Sequence, residues 1–472
     1  MLFLSQIVFI ISVAFTQAFK TTRNSRMLSR MSLKSSVDKN VEQIEVELEN
    51  NIPKFDFEIV NGLEGFVSKE EYDELLSPND NDYPFLKYDF LYNMEKTGIA
   101  STKSGWEPVH VIARSREDKK MKMMVPMYVK SHSYGEFIFD QSWAEFAMRR
   151  LGIRYYPKLL CAIPCTPAVG TRVILHKELC DESKSKLVKD TGDFIASVAS
   201  NNGLSGAHFN FMLKEEAEQL DDSKYMLRET IQYRFTNKKA ETKEKYEDFD
   251  DYLSSFKSKR RVQIKRERRS VYEDQSIRVE TITGDEADLE MYKKMYLLYT
   301  TTVDKMWGQR YMTEDFFISW FHSSLDFKKN IVFIVAYDDS DNIVAGTINF
   351  IQHNDQTGTS KFFGRYWGAF EELKFLHFEC CYYKTIEYVI ENKIDYFEPG
   401  AGGGSFKFLR GFDPYIVYSK HYISSPILRE AIGEFLKEER EYNNDTADYL
   451  IENSALKKNK NENTTIESNK SE

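Results

Sequence analysis

The chain reads as an α/β or α+β protein whose folded body is built twice. Three observations lead there. Two stretches share one plan, a strand, a polar turn and a second strand. These are Val109–Arg114, Ser115–Lys120 and Met121–Val129, and then Ile331–Tyr337, Asp338–Asn342 and Ile343–Ile351. Each hairpin leads to an aromatic, charged segment expected to be a strand, Ser133–Phe139 in one half and Phe362–Gly368 in the other. A helix is expected next, and then a short strand, Ile153–Pro157 or Ile394–Pro399. Strands alternating with helices predict a sheet with helices packed on its faces, and a repeated order of elements points to duplication.

Length and composition agree. At 472 residues the chain exceeds one ordinary domain, and 42% hydrophobic with 14% aromatic content fills two cores. The net charge of −10 argues against general coating of nucleic acid, while leaving room for a local basic patch. The five cysteines, Cys161, Cys165, Cys180, Cys380 and Cys381, are odd in number and fit no zinc spacing. They are expected to be reduced, mostly buried thiols. Cys165 or Cys380 as a nucleophile is the alternative.

Taken in order, residues 1–18 resemble a signal peptide: an apolar run, Leu2–Phe15, then Thr16-Gln17-Ala18. Residues 19–37 carry five basic residues, several serines and no acid before Asp38, the composition of a transit peptide. Together they predict import into the plastid of an alga with a secondary plastid. Simple secretion is the alternative. The segment 38–54 reads as a linker, 55–240 as a first domain, 241–450 as a second and 451–472 as a disordered tail. No apolar run after the leader is long enough to span a bilayer, so no stable membrane insertion of the mature chain is expected.

A basic helix is expected between the halves, from Phe249 to Val271. Phe249, Leu253, Phe256, Ile264 and Val271 form its apolar stripe. Lys257, Lys259, Arg260, Arg261, Lys265, Arg266, Arg268 and Arg269 crowd the other positions. Arginine suits bidentate phosphate contact, so this segment is either a solvated face or a contact for RNA.

The stretch Gly364–Phe412 gathers aromatic, carboxylate, His and Arg residues beside three glycines, Gly402 to Gly404. Perturbed acids and bases collect where chemistry is done, and glycine lets a backbone come close to a ligand. One wall of a site is expected here.

Eight blocks then resemble a known family, in that family's order, across roughly residues 60–440. They are SHSYGEFIFD (Ser131–Asp140), YYPKLLCAIPCTPAVG (Tyr155–Gly170), SSFKSKRRVQIKRERR (Ser254–Arg269), WGQRYMTEDFF (Trp307–Phe317), GRYWG (Gly364–Gly368), LHFECCYY (Leu376–Tyr383), FEPGA (Phe397–Ala401) and RGF (Arg410–Phe412). The chain resembles the Fem-like N-acyltransferases, described as peptidoglycan biosynthesis or recognition proteins, of the GNAT superfamily. The resemblance implies tandem GNAT-like domains, each a mixed, bent sheet flanked by helices. It implies transfer of an acyl or aminoacyl group to an amine. One departure stands out: after FEPGA the family carries Gln-Gly-Glu-His-Lys, whereas this chain has Gly402-Gly-Gly-Ser-Phe-Lys407. Roles of that Glu and His do not transfer.

Such transfer needs a base for the ammonium, donors for the oxyanion and a positioned acyl group. Glu136, His377, Glu379 and Glu398 are the catalytic candidates, with Glu372 as a further carboxylate. His377 and Glu379 are two apart on an expected helix, so they face different ways. Tyr134, Arg365, Tyr366, Trp367, Tyr382, Gly400, Gly402, Lys407 and Arg410 are the binding candidates. No metal motif is evident and no tightly bound cofactor is expected. The co-substrate is acyl-CoA or aminoacyl-tRNA, with tRNA contact expected through Lys257–Arg269. The CoA pyrophosphate signature of the superfamily is approached only by Arg365–Phe370, which fails at its last position. A ligand-binding protein that has lost catalysis is the alternative from another class.

Overall fold

Short runs rich in β-branched and aromatic residues, some alternating and some buried throughout, lay down sixteen strands among the described residues, which are 44–46, 55–240, 242–306, 310–353, 359–402 and 404–457 of a computed structural model. In the first half they are β1 (Ile44–Val46), β2 (Phe55–Val60), β3 (Trp106–Pro108), β4 (His110–Ser115), β5 (Met121–Val125), β6 (Met127–Lys130), β7 (Lys158–Cys161), β8 (Ile174–Leu175), β9 (Gly206–Met212) and β10 (Met226–Thr236). The second half holds β11 (Arg278–Thr283), β12 (Ile331–Tyr337), β13 (Ile343–Gln352), β14 (Lys361–Ala369), β15 (Tyr396–Glu398) and β16 (Asp413–Ile423). The signal-like and transit-like segments, and the tail beyond residue 457, lie outside the described residues.

The fold is mixed α/β, with bent sheets flanked by helices, as expected. An eleven-stranded sheet runs β11-β12-β13-β14-β15-β10-β16-β9-β7-β6-β3, and a five-stranded sheet runs β1-β2-β4-β5-β8. The first-half hairpin belongs to both. Pro108 and Pro126 lack the amide N–H a ladder needs, so the hairpin breaks there, and Val109 donating to the Met127 carbonyl at 2.9 Å holds the corner. Two neighbouring pairs are parallel, β7 with β9 and β14 with β15.

The two halves trade their closing strands. β10, made by the first half, pairs with β15 of the second (Phe235 opposite Phe397). β16, made by the second half, pairs with β9 of the first (Tyr422 opposite Ala207). β10 and β16 then pair with each other from Met226–His421 to Arg234–Asp413. A shared aromatic core welds the halves: Phe85 meets Phe350 at 5.1 Å and Phe363 at 5.3 Å, and Phe90 meets Phe316 at 5.6 Å.

Duplication is visible, but the residues expected to match are displaced. Ser133–Phe139 forms no strand, because Gly135 and Phe137 take positive φ values of 78° and 57° that break extended pairing. Ile153–Pro157 forms none either. The counterpart of β14 is β7, that of the helix between β14 and β15 is Asp181–Asn201, and that of β15 is β9. Residues 131–157 are an insertion in the first half.

Three boundaries also differ from expectation. Part of the 38–54 segment enters the sheet, where β1 pairs with β2. The basic helix is two pieces, Phe249–Ser254 and Ser258–Arg269, although its apolar stripe is buried throughout. The start of the tail is tied down: the helix Pro426–Glu452 leads to a bridge between Phe256 and Leu456, and the Lys257 N–H donates to Ala455. Among the described residues no helix is long and apolar enough to cross a membrane, and no cluster of His, Cys, Asp or Glu has the makings of a metal site.

Candidate active site

The sheet of the second half has two faces, and strand alternation assigns each residue to one. Phe362 and Phe397 point to the face covered by the helical segment Leu376–Glu391. Phe363 points the other way and meets Tyr83 of the first half at 5.7 Å. Lys361, Glu398, Arg234, Tyr415 and Val417 share that second face by alternation and register. It is the seam between the halves.

β14 and β15 pair only over Lys361–Phe363 opposite Tyr396–Glu398, and then part. Close approach marks the point of parting. A side chain at Gly364 would stand 3.2 Å from the Phe397 ring, and one at Gly400 would stand 3.0 Å from the Gly364 carbonyl. Arg365 comes next. β13 and β14 shift register here, with Ile348 opposite Tyr366 and Asn349 opposite Gly364, so Arg365 is the extra residue of a β-bulge. Bulges re-aim a side chain. Arg365 leaves the alternation and donates from Nη2 to the Cys165 carbonyl of the first half at 2.6 Å, while its Nε is buried without a partner.

Glu398 ends β15 opposite Phe363, 5% exposed, with Oε2 buried and unpartnered. Burial pushes its carboxyl up, while Lys361 and Arg234 pull it back. The Tyr415 hydroxyl and the Val169 N–H face it. Tyr366 packs into the core against Tyr299 and Phe317.

Glu136 reaches the same seam from the first half, through the insertion. Its neighbours Phe137 and Ile138 pack with Val169, Phe211, Tyr415 and Val417. Lys158 Nζ donates to Glu136 at 2.7 Å and also to Asp140, which accepts from Tyr155 at 2.8 Å and Tyr156 at 3.1 Å. Burial pushes Glu136 up to about 7, and its Oε1 has no partner. Lys130 donates to the Tyr134 carbonyl at 3.2 Å and lies 3.9 Å over Trp106; burial brings it down to about 7. The Tyr134 side chain is 55% exposed.

The remaining candidates lie on the far face. His377 packs on Trp367 at 5.2 Å and Tyr382 at 5.6 Å, and burial, with Arg410 and Lys407 nearby, brings it down to about 4. Lys407 donates to the Gly400 carbonyl at 2.5 Å. Glu379 is sealed in an ion pair with Arg268 at 2.9 Å and accepts from Tyr272 at 2.8 Å. Arg410 pairs with Glu267 at 2.9 Å. Glu379 and Arg410 thus fasten the basic helix to the fold. Glu372 pairs with Lys305 at the surface. The structure therefore brings Glu136, Glu398, Arg365 and Tyr366 to one seam and separates from them His377, Glu379, Trp367, Tyr382, Lys407 and Arg410.

Gly402 is exposed with φ 80°, and the chain then enters a short helix, Gly404–Phe408. Arg365–Phe370 lies in and just after β14 rather than in a loop opening a helix, so it cannot present a run of N–H groups to a pyrophosphate. All five cysteines are free, and burial pushes Cys165 up to about 11 and Cys380 well up, against a thiolate nucleophile. A groove of about 540 Å³ along the basic helix, lined by Phe249, Leu253, Lys265, Arg268, Tyr272 and Glu387, lies beyond the far face.

Sequence reasoning passed over Lys130, Lys158, Asp140, Arg234, Lys361 and Tyr415. A signal was present for some of them. Lys158 opens the run Lys-Leu-Leu-Cys, Lys361 precedes Phe362-Phe363, and Arg234 sits between Tyr233 and Phe235. A cation inside an apolar strand needs a reason.

A family model described as FemAB-like, peptidoglycan biosynthesis/recognition, matches residues 65–458. No curated protein matches the sequence. Among solved structures, L-PGS from Bacillus licheniformis is 10% identical, covering 73% of this chain and 95% of its own, with a TM-score of 0.41. A conserved protein of unknown function from Bacteroides thetaiotaomicron is 11% identical over 76% and 97%, with a TM-score of 0.40. Saccharomyces cerevisiae N-myristoyltransferase with bound myristoyl-CoA is 12% identical over 82% and 89%, with a TM-score of 0.37. Overlaps this loose carry neither substrate nor mechanism across.

Proposed function

The chain belongs to the FemAB-like family, and from that premise we propose that it is an N-acyltransferase whose reaction takes place where β14 parts from β15. One observation carries the reading. At that point two buried groups of opposite character lack partners, Glu398 Oε2 and Arg365 Nε, on neighbouring strands. An acid-base pair of this kind is what amide formation from an activated acyl group requires.

Glu398 takes the proton of the incoming ammonium. The free amine attacks the acyl carbonyl and forms the C–N bond. The charge that develops on the carbonyl oxygen falls to the Arg365 N–H, which stabilises it without having to reorganise. The adduct still carries one proton more on nitrogen than the amide does; that proton passes to the leaving group as collapse expels the thiol of a CoA thioester or the ribose hydroxyl of an aminoacyl-tRNA, and the proton taken first by Glu398 goes to solvent. Glu136 and Lys130, which feel each other's charge, are a second pair of buried, titratable groups, supplied by the first half.

The test is direct. Purified protein is mixed with acyl-CoA or charged tRNA and a set of amines, and new amide is sought by mass spectrometry. Amide lost in Glu398→Gln supports the reading, and no amide with any donor overturns it.

Contact with tRNA is a second reading, favoured by Lys259, Arg261 and Arg266, which have no partner among the described residues. Binding of tRNA that falls steeply with salt, and is lost on reversing those three charges, tests it.

A further inference from the structure

The seam carries two cations, Arg234 and Lys361, that act on the charge of Glu398, and Arg234 also acts on Asp413 opposite it, yet neither cation donates a hydrogen bond to a carboxylate among the described residues. Lys361 on β14 and Arg234 on β10 stand on either side of Glu398 on β15, and all three point to the same face. Register extends from Phe235 opposite Phe397, which puts Arg234 level with Glu398. Yet no ion pair joins them, and neither cation has a hydrogen-bond acceptor among the described residues. Two positive charges flanking a carboxylate ordinarily collapse onto it, because half-buried charges are costly without a partner.

Arg234 is prevented from collapsing by its packing. Its guanidinium lies between the Tyr396 ring at 4.1 Å and the Tyr415 ring at 4.9 Å. The two rings hold the guanidinium in place. Its N–H donors form a fork that matches carboxylate or phosphate. Lys361 is also half-buried, and burial lowers its pKa, which an arriving anion would reverse. Glu398 contributes an unpartnered oxygen to the same row.

We propose that Arg234 and Lys361 form an anion subsite, so that the acceptor is an amine carrying a carboxylate or phosphate close to its nitrogen. The anion docks on the two cations while the ammonium points at Glu398. This rests on the acyltransferase reading and narrows its acceptor class. Strand neighbours lie about 4.8 Å apart, and Lys361 stands opposite Tyr396, two residues along from Glu398 on the same face, so the cluster suits a small zwitterion whose charges are separated by a few bonds.

Calorimetric titration of the full chain tests it with four probes: ethanolamine, O-phosphoethanolamine, glycine and inorganic phosphate. O-phosphoethanolamine or glycine should bind at least tenfold tighter than ethanolamine, and which of the two does so identifies the anion. Arg234→Gln with Lys361→Gln should remove that advantage and leave ethanolamine unchanged. Equal binding of ethanolamine and both zwitterions to the unmodified protein, or no binding of either zwitterion, overturns the subsite without any variant. Should the zwitterions bind through Arg234 and Lys361 while no donor yields amide, the subsite stands and the acyltransferase reading falls. Should amide form equally well on amines without an anion, the subsite alone falls.

Discussion

Each half contains one parallel pair of strands that diverges, and the two halves treat the opening in opposite ways. Between β7 and β9 the opening is sealed by Arg172, which is fully buried. Its Nε donates to the Asn210 carbonyl at 2.7 Å, Nη2 to Ala168 at 2.7 Å and Nη1 to Thr171 at 2.9 Å. Glu216 accepts from the Arg172 and Val173 N–H groups beside it. Between β14 and β15 the cations Arg234, Lys361 and Arg365 keep donors idle. The same topology thus yields a brace in one place and a site in the other. The difference is whether the polar atoms are spent on the protein's own backbone.

That contrast can be broken by substitution. The largest effect is expected on chemistry: Glu398→Gln should lower turnover by roughly 10²–10⁴-fold, the usual contribution of a general base, with an unchanged urea unfolding curve. Unchanged turnover would move the base elsewhere, and Glu136→Gln is the next variant to assay.

Next comes stability. Arg172→Met strands several buried carbonyls and should cost about 3–5 kcal/mol in urea unfolding, as removal of one member of a buried charged network does. Arg234→Met should cost under about 1 kcal/mol, since its donors bond nothing in the protein. The reverse order would mean that the idle cations are structural.

A smaller effect is expected from pH. The folded state raises Glu136 from the ordinary 4.5 to about 7, so the folded state holds the proton more tightly. Its contribution is fully present below pH 4.5 and is lost as pH rises through 7. Unfolding measured across that window should show this downward slope in the unmodified protein and lose it in Glu136→Gln. On the far face the sign reverses. His377 is lowered from 6.5 to about 4, so its contribution is present above 6.5 and is lost as pH falls through 4. His377→Gln should flatten that slight slope, and a curve identical to the unmodified protein's would show that His377 is solvated.

Much of this was legible in the chain. The hairpins β4–β5 and β12–β13 announce themselves by apolar runs around polar turns, and the segments Phe362–Gly368 and Ile394–Pro399 were expected as the strands that β14 and β15 are. The side of the sheet was not legible. Glu398 and Glu379 look alike as carboxylates in one rich segment, and only the folded chain shows the first facing the seam by strand register and the second paired with Arg268 from a helix. The insertion at residues 131–157 hid the true match of the halves, because Ser133–Phe139 has the composition of a strand while Gly135 and Phe137 have a backbone unlike one. Arg234 and Lys361 stood out only as cations beside aromatic residues, because their importance lies in lacking hydrogen-bond acceptors, and a sequence shows no partners.

The traded closing strands also set a timetable. As the polypeptide leaves the ribosome, β9 appears with a bare edge whose neighbour, β16, is the last strand to be made. Until Asp413–Ile423 emerges, that edge is open to any other strand in the cell. A chain stopped after residue 240 therefore keeps that edge of β9 unpaired, and its first half closes only when the last strand arrives.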